Sequence, residues 1–284
     1  MKLTECHFEE YLQNIKKYNL HPKFEKQLAN FPNKIECFKN IIMYGPPGIG
    51  KYSQALNIIK KYSPSELKYE KKINIQLNKF NYIMKISDIH YEIDMSLLGC
   101  NAKLLWHDIF QQIIDIVMAK TNNKCGIILC KQFNEIHNEL LDNFYSYMQN
   151  NLHSIDLKYI IITEEISFIP TNILNCCEVI PFQRPCRSSY QQMTKKKIPL
   201  KINLNNIKNI KYLQLNELNI NDEYKIIRNK ILNNITNLKE LNYIKFREML
   251  YDIFIYNLNI YECIFYILSS LIEGGKLNKE DTAI

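Results

Sequence analysis

The stretch GPPGIGKYS, from Gly45 to Ser53, constrains the fold of this chain more than any other. Gly45, Gly48 and Gly50 are three of only seven glycines, and the positions from Gly45 to Lys51 follow the pattern G-x-x-x-x-G-K-S/T. Glycines let a backbone curl until successive N–H groups and the start of a helix face one anion, and the lysine adds a charge near the outer phosphates of a nucleotide. The flanks suit that use. NIIMY, Asn40 to Tyr44, reads as a buried parallel strand, and from Lys51 onward Ala55, Leu56, Ile59 and Tyr62 recur at helical spacing until Pro64. Strand, glycine-rich turn and helix are the context a phosphate-binding loop needs. Gly45, Pro46, Pro47, Gly48, Ile49, Gly50, Lys51, Tyr52 and Ser53 are therefore the expected nucleotide-binding residues, with ATP or ADP the expected ligand.

Beyond this loop the chain alternates strand and helix patterns. Phe8, Leu12 and Ile15 lie at helical spacing. Lys72 to Leu77 and Tyr82 to Ile86 read as an antiparallel hairpin, and Tyr91 to Met95 as a further strand. Asn101 is placed to cap a helix whose Leu104, Leu105, Ile109, Gln112, Ile113 and Ile116 trace one apolar face. Gly126 to Cys130 is another strand, followed by a helix from about Glu135 to Gln149; Lys158 to Thr163 and Glu178 to Phe182 complete the set, with Pro170 opening a short helix between them. The pattern predicts a doubly wound α/β domain with a central parallel sheet over residues 1–183. Residues 184–220, basic and without sustained apolar period, read as a linker or reduced lid. Residues 221–284 read as three helices carrying Ile227, Ile231, Phe246, Leu250, Phe254, Ile264 and Leu268, more apolar surface than so small a bundle can bury alone.

Two positions argue against ordinary hydrolysis. Tyr52 stands where a short hydroxyl would ligate magnesium, and Ser53, one residue on, points about a hundred degrees away around the helix. The strand GIILC then runs into Lys131, Gln132, Phe133 and Asn134, so that Lys131 and Gln132 occupy the places of the carboxylate pair that would hold the metal and orient water; Glu135 is the nearest acid in sequence. Magnesium is expected to bind weakly or not at all, and no residue is assigned as catalytic.

These segments resemble the small subunits of replication factor C, the AAA+ clamp loader of eukaryotes, archaea and large DNA viruses. The likeness runs over about residues 20–183, through GPPGIGKYSQAL, HYEIDMSLLGCNAKLLWHDIFQQIIDI, FNEIHNELLDNFYSYMQ and YIIITEEISFIPTNILNCCEVIPF, and returns over about 221–273 in IKFREMLYDIFIYNLNIYECIFYILSSL. Lys51, Tyr52 and Ser53 resemble the GKKT form of the catalytically silent subunit at the end of the loader ring. The resemblance implies an AAA+ domain, a reduced lid and a helical collar, with other loader subunits, a sliding clamp and primer-template DNA as partners. It also implies degenerate sites: Lys131, Gln132 and Asn134 in the second nucleotide motif, Glu164 at the sensor, and Asn175, Cys176 and Cys177 where an arginine finger would stand. The bias toward Lys, Asn and Ile resembles large DNA viruses of protists.

The formal charge of +7 suits a phosphate or nucleic-acid partner as well as it suits that compositional bias. Lys103 and the run Lys195, Lys196 and Lys197 are candidate DNA contacts, each against the plainer reading of a solvated lysine. Trp106 is expected in a core or interface, and His107 and His137 have no ligand-type neighbours at metal spacing. Nine cysteines without C-x-x-C pairs read as reduced thiols, with Cys176 and Cys177 buried, and no run of eighteen apolar residues occurs. An intracellular protein off the membrane is expected, in the host nucleus or a virus factory if viral. Two other readings stay open: a free-standing P-loop ATPase or nucleotide kinase, and an interaction protein whose P-loop is an empty relict.

Overall fold

The computed structural model describes residues 7–77, 80–120, 124–149, 155–195, 197–198, 204–207, 223–237, 242–255, 258 and 260–277. The chain divides into two compact units, Cys6–Met193 and one built mainly from Thr194–Ile284.

The first unit opens with helices α1 (Phe8–Lys17) and α2 (Pro22–Ala29), then strand β1 (Asn40–Tyr44) and helix α3 (Lys51–Tyr62). A hairpin of β2 (Lys71–Leu77) and β3 (Phe80–Ile86) leads to β4 (His90–Asp94), α4 (Ala102–Met118), β5 (Cys125–Lys131), α5 (Asn138–Met148), β6 (Asp156–Thr163), α6 (Thr171–Asn175), β7 (Cys177–Pro181) and α7 (Arg187–Thr194). The seven strands form one sheet in the order β2-β3-β4-β5-β6-β1-β7. From β4 to β7 every pairing is parallel, and only the β2–β3 hairpin, joined to β4, runs antiparallel. The α/β class with a central, mostly parallel sheet is therefore the observed fold.

Because side chains alternate along a strand, each parallel strand feeds two cores. Ile42, Ile128, Cys130 and Ile161 join the core under α4 and α5, whereas Ile41, Met43, Ile127, Leu129, Ile160 and Ile162 join the opposite core, which takes in α1, α2 and α3. Trp106 is fully buried in the first, against Phe144 and Tyr147.

Local details depart from the sequence pattern in four places. Leu104 is exposed, and the buried stripe of α4 is Leu105, Trp106, Ile109, Phe110, Ile113, Ile114 and Val117, with the indole of Trp106 packed in the core against Phe144 and Tyr147. Asn101 makes no side-chain cap; it ends a 3-10 turn that leads into α4. Another such turn, Phe133–Glu135, delays α5 to Asn138. The basic segment after residue 183 contains a helix after all: α7 anchors itself with one buried residue, Tyr190, too sparse a signal to set an apolar period.

In the second unit α8 (Glu223–Thr236), α9 (Tyr243–Ile255) and α10 (Ile260–Glu273) share a small core of Ile227, Ile231, Ile253, Leu258 and Cys263. Phe246 packs against it, whereas Leu250, Phe254, Ile264 and Leu268 remain exposed. No helix among the described residues is long and apolar enough to cross a membrane.

The turn after β1 has no room for a side chain. Gly45 has φ of +152°, and a Cβ there would lie 2.2 Å from the Phe182 carbonyl oxygen, a backbone atom that cannot swing aside. Gly45→Ala should therefore destabilise the first unit by about 1–3 kcal/mol. Urea unfolding followed by the fluorescence of Trp106, the chain's one tryptophan, measures the loss, and an unchanged midpoint would show that the turn can relax.

Candidate functional site

The loop from Gly45 to Gly50 leaves the C-terminal end of β1 and enters α3. Gly48 and Gly50 take the left-handed conformation, at φ of +68° and +91°, and Gly50 is the N-cap of α3 without a capping side chain. The first-turn amides of this twelve-residue helix thus have neither an intrahelical acceptor nor a side-chain cap, which suits them to an anion. The loop is held from outside. His21 Nε2 donates to the Ile49 carbonyl at 2.7 Å, and the Tyr190 hydroxyl donates to the Gly48 carbonyl at 3.3 Å. Burial lowers the pKa of His21, which leaves the ring a neutral donor.

Lys51 is buried at 7 % exposure and turns back to donate to the carbonyls of Gly45 and Pro46, the latter at 2.9 Å. Burial lowers its pKa to about 8; Glu164 works to raise it and Arg184 to lower it. Both neighbours come from strand ends that flank β1. Thr163 pairs with Tyr44, so Glu164 follows level with Gly45, and Arg184 follows the β7 exit at Phe182, whose N–H bonds the Tyr44 carbonyl at 2.8 Å.

Tyr52 and Lys131, far apart in the chain, meet in space. The Tyr52 hydroxyl donates to Glu92 Oε1 at 2.6 Å, the Lys131 ammonium lies 3.6 Å from Glu92 Oε2, and the same ammonium stands 5.4 Å from the centre of the Tyr52 ring. Register explains the meeting. Glu92 pairs with Leu129, so Glu92 and Lys131 project on the face of the sheet that carries α3. His90, fully buried on that face, places Nε2 3.5 Å from Glu92 Oε1 while Ser87 Oγ sits 2.5 Å from its Nδ1. Burial alone would raise the Glu92 pKa, yet Lys131, His90 and the Tyr52 hydroxyl together hold it down at about 2. Burial and then the Glu92 charge push the Tyr52 phenol well above its ordinary value, so it stays a donor.

The residues at hand do not fit magnesium. The Tyr52 phenol is committed to Glu92, and the side chain at the end of β5 is the cation Lys131, which offers a metal no oxygen. Among the described residues no three His, Cys, Asp or Glu side chains come together as a metal site.

No protein-family model and no curated protein matches the sequence. Among solved structures the chain is similar to the RuvB Holliday junction branch migration motor of Thermotoga maritima, at 13 % identity over 69 % of this chain and 53 % of that one, with a TM-score of 0.38. It is similar also to PCH-2 of C. elegans, at 13 % identity over 66 % of this chain and 49 % of that one, with a TM-score of 0.41. The chain spans about half the length of these matches.

The other residues singled out from the sequence are scattered. Gln132 has a left-handed backbone, φ of +49°, directly after β5, and Asn134 donates to Glu135 at 3.0 Å. Ser53 is half-buried on the first turn of α3. Asn175 is exposed, and Cys176 and Cys177 are half-buried rather than buried, their sulfurs 3.9 Å apart. Cys177 pairs with Asn40, so it lies at the far end of β1 from the loop, because β7 begins there. Lys103 is exposed on the first turn of α4, Lys195 and Lys197 are exposed in the second unit, and Lys196 lies outside the described residues. Sequence reasoning missed Glu92, His90, His21, Arg184 and Tyr190. The signal for two of them was HYEID, which sets His90 and Glu92 two apart on a strand buried on both faces.

A carboxylate with a folded pKa near 2, against 4.5 for the free group, adds stability above pH 4.5 that is lost as pH falls toward 2. Lys131→Met removes the principal cation and should move that acid loss to higher pH. Breaking such a pair costs about 3–5 kcal/mol when fully buried, and the lower end applies to the partly exposed Lys131. Trp106 fluorescence against pH reports the shift; an acid midpoint equal to that of the wild type would mean that Lys131 does not compensate Glu92.

Proposed function

We propose that this chain is a nucleotide-binding, non-hydrolysing AAA+ subunit of a sliding-clamp loader of the replication factor C type, acting in DNA replication. One observation carries the reading: the glycine frame and Lys51 of the phosphate loop are intact, whereas the metal and water-orienting positions are taken by Tyr52, Lys131 and Gln132. The strand order supports it too, since a P-loop strand lies between two parallel neighbours whose ends carry Glu164 and Arg184 beside Lys51. The ligand is ATP or ADP, with magnesium weak or absent. The partners are other loader subunits and, through the assembly, a clamp and primer-template DNA. Lys51 bound to its own loop carbonyls favours a second reading, an interaction protein with a closed relict loop.

Titration with a fluorescent ADP or ATP analogue separates the two. The wild type should bind, and Lys51→Ala should bind at least about tenfold more weakly, since it removes a charge-assisted contact to phosphate. Equal binding, or none in either protein, would end the nucleotide reading. Phosphates favour the charged lysine, so affinity should fall as pH rises through about 8, and Lys51→Arg, always charged, should flatten that dependence.

The clamp-loader reading makes the second unit the assembly contact. Tyr261 is 84 % exposed, Phe265 75 % and Phe254 64 %, and burying each such side chain is worth about 1.5–3 kcal/mol. Leu250→Glu with Leu268→Glu should abolish co-purification with AAA+ partner subunits and leave ADP binding unchanged. Assembly that survives both charges would place the contact on the first unit.

A further inference from the structure

In a P-loop site the divalent cation lies between the hydroxyl that follows the loop lysine and a carboxylate at the end of a nearby strand, and it bridges the outer phosphates. Those two positions here are Tyr52 and Lys131, and their side chains close the gap between them. The Lys131 ammonium stands 5.4 Å from the centre of the Tyr52 ring and 3.6 Å from Glu92 Oε2, while Glu92 Oε1 accepts from the Tyr52 hydroxyl at 2.6 Å. The glutamate side chain is 1 % exposed, and its Oε2 has no hydrogen-bond partner; the group it faces is the ammonium, a little beyond hydrogen-bond reach. A buried carboxylate oxygen held in this way draws a cation to that spot. Lys131 is not sealed in, since its side chain keeps 30 % exposure and three donors, more than Glu92 can use. A positive charge is thus already fixed against the Tyr52 side chain on the first turn of α3, the position that would otherwise offer the metal its hydroxyl.

We propose that the Lys131 ammonium, positioned by Glu92 and the Tyr52 ring, is the resident counter-cation of the phosphate site, so that the site takes a nucleoside phosphate free of divalent metal. This rests on the nucleotide reading above. It adds a selection that the reading does not contain: the ligand is the bare polyphosphate rather than its magnesium complex. Magnesium, which chelates free nucleotide, then competes with the protein instead of assisting it. A single ammonium partly neutralised by Glu92 also supplies less positive charge than a divalent ion, so the site favours the diphosphate, with its lower charge.

The test is a titration of the full chain with ADP in EDTA and again in excess magnesium, by calorimetry. The wild type should bind in EDTA at least as tightly as in magnesium. Lys131→Met should lose about tenfold or more in EDTA, as expected for a lost charge-assisted contact, with no rescue by magnesium, and Lys131→Arg should keep most of the affinity. Trp106 fluorescence and far-UV circular dichroism establish that each variant is folded. Binding by the wild type that requires magnesium overturns the proposal without any variant, and so does Lys131→Met binding as tightly as wild type in EDTA. Absence of ADP binding in both conditions removes the nucleotide reading itself, and this proposal with it.

Discussion

Strand β6 sets the geometry on which the rest of the first unit depends. It pairs with β1 on one side and β5 on the other, so the strand that launches the phosphate loop and the strand that ends in Lys131 never touch. Two inter-strand spacings put them about 10 Å apart. Short side chains on α3 and on the end of β5 cannot span such a distance without a metal ion and its water between them. Tyr52 and Lys131 are long enough to meet directly, so the residues that look like two separate losses in the sequence form one structure whose members fit the gap.

The fit has an electrostatic cost that the neighbourhood offsets. Glu92 is ionised in a nearly water-free place between a β-sheet and a helix, and an isolated charge there would be strongly unfavourable. Lys131 supplies the opposite charge, the Tyr52 phenol a donor, and His90, braced by Ser87 and tilted against Phe8, a further polar contact. Helix α1 thereby takes part in the same site: Phe8 packs 4.9 Å from His90, and Tyr11 meets the edge of Tyr52 at 4.9 Å. The N-terminal helix therefore supports the start of α3 as well as covering a hydrophobic face.

Much of this was legible in the sequence, and the reasons for what was not are specific. β1 and α3 have the limits that NIIMY, Gly45 and Lys51 announced, because a glycine turn leaves little freedom in where the strand stops and the helix starts. The β2–β3 hairpin also followed from alternation. The face of α4 did not, since Leu104, Leu105 and Trp106 are three apolar residues in a row and only packing volume decides which points inward. Helix α7 reads RSSYQQMT, and one buried tyrosine sets no period. The Tyr52–Glu92 bond joins residues forty apart, and no local pattern carries that information; what the sequence offered was an acid inside a strand otherwise fit for burial on both sides.

The same cluster bears on how the chain can change over generations. A step from Tyr52 to serine takes the donor away from Glu92, and a step from Lys131 to aspartate sets a second carboxylate against it. Either single step leaves a buried charge less compensated than before, although both together are what a metal site would require. Glu92 therefore acts as a ratchet: with tyrosine and lysine settled around it, a change at either position alone passes through a less stable form, so the two positions are free to change only together.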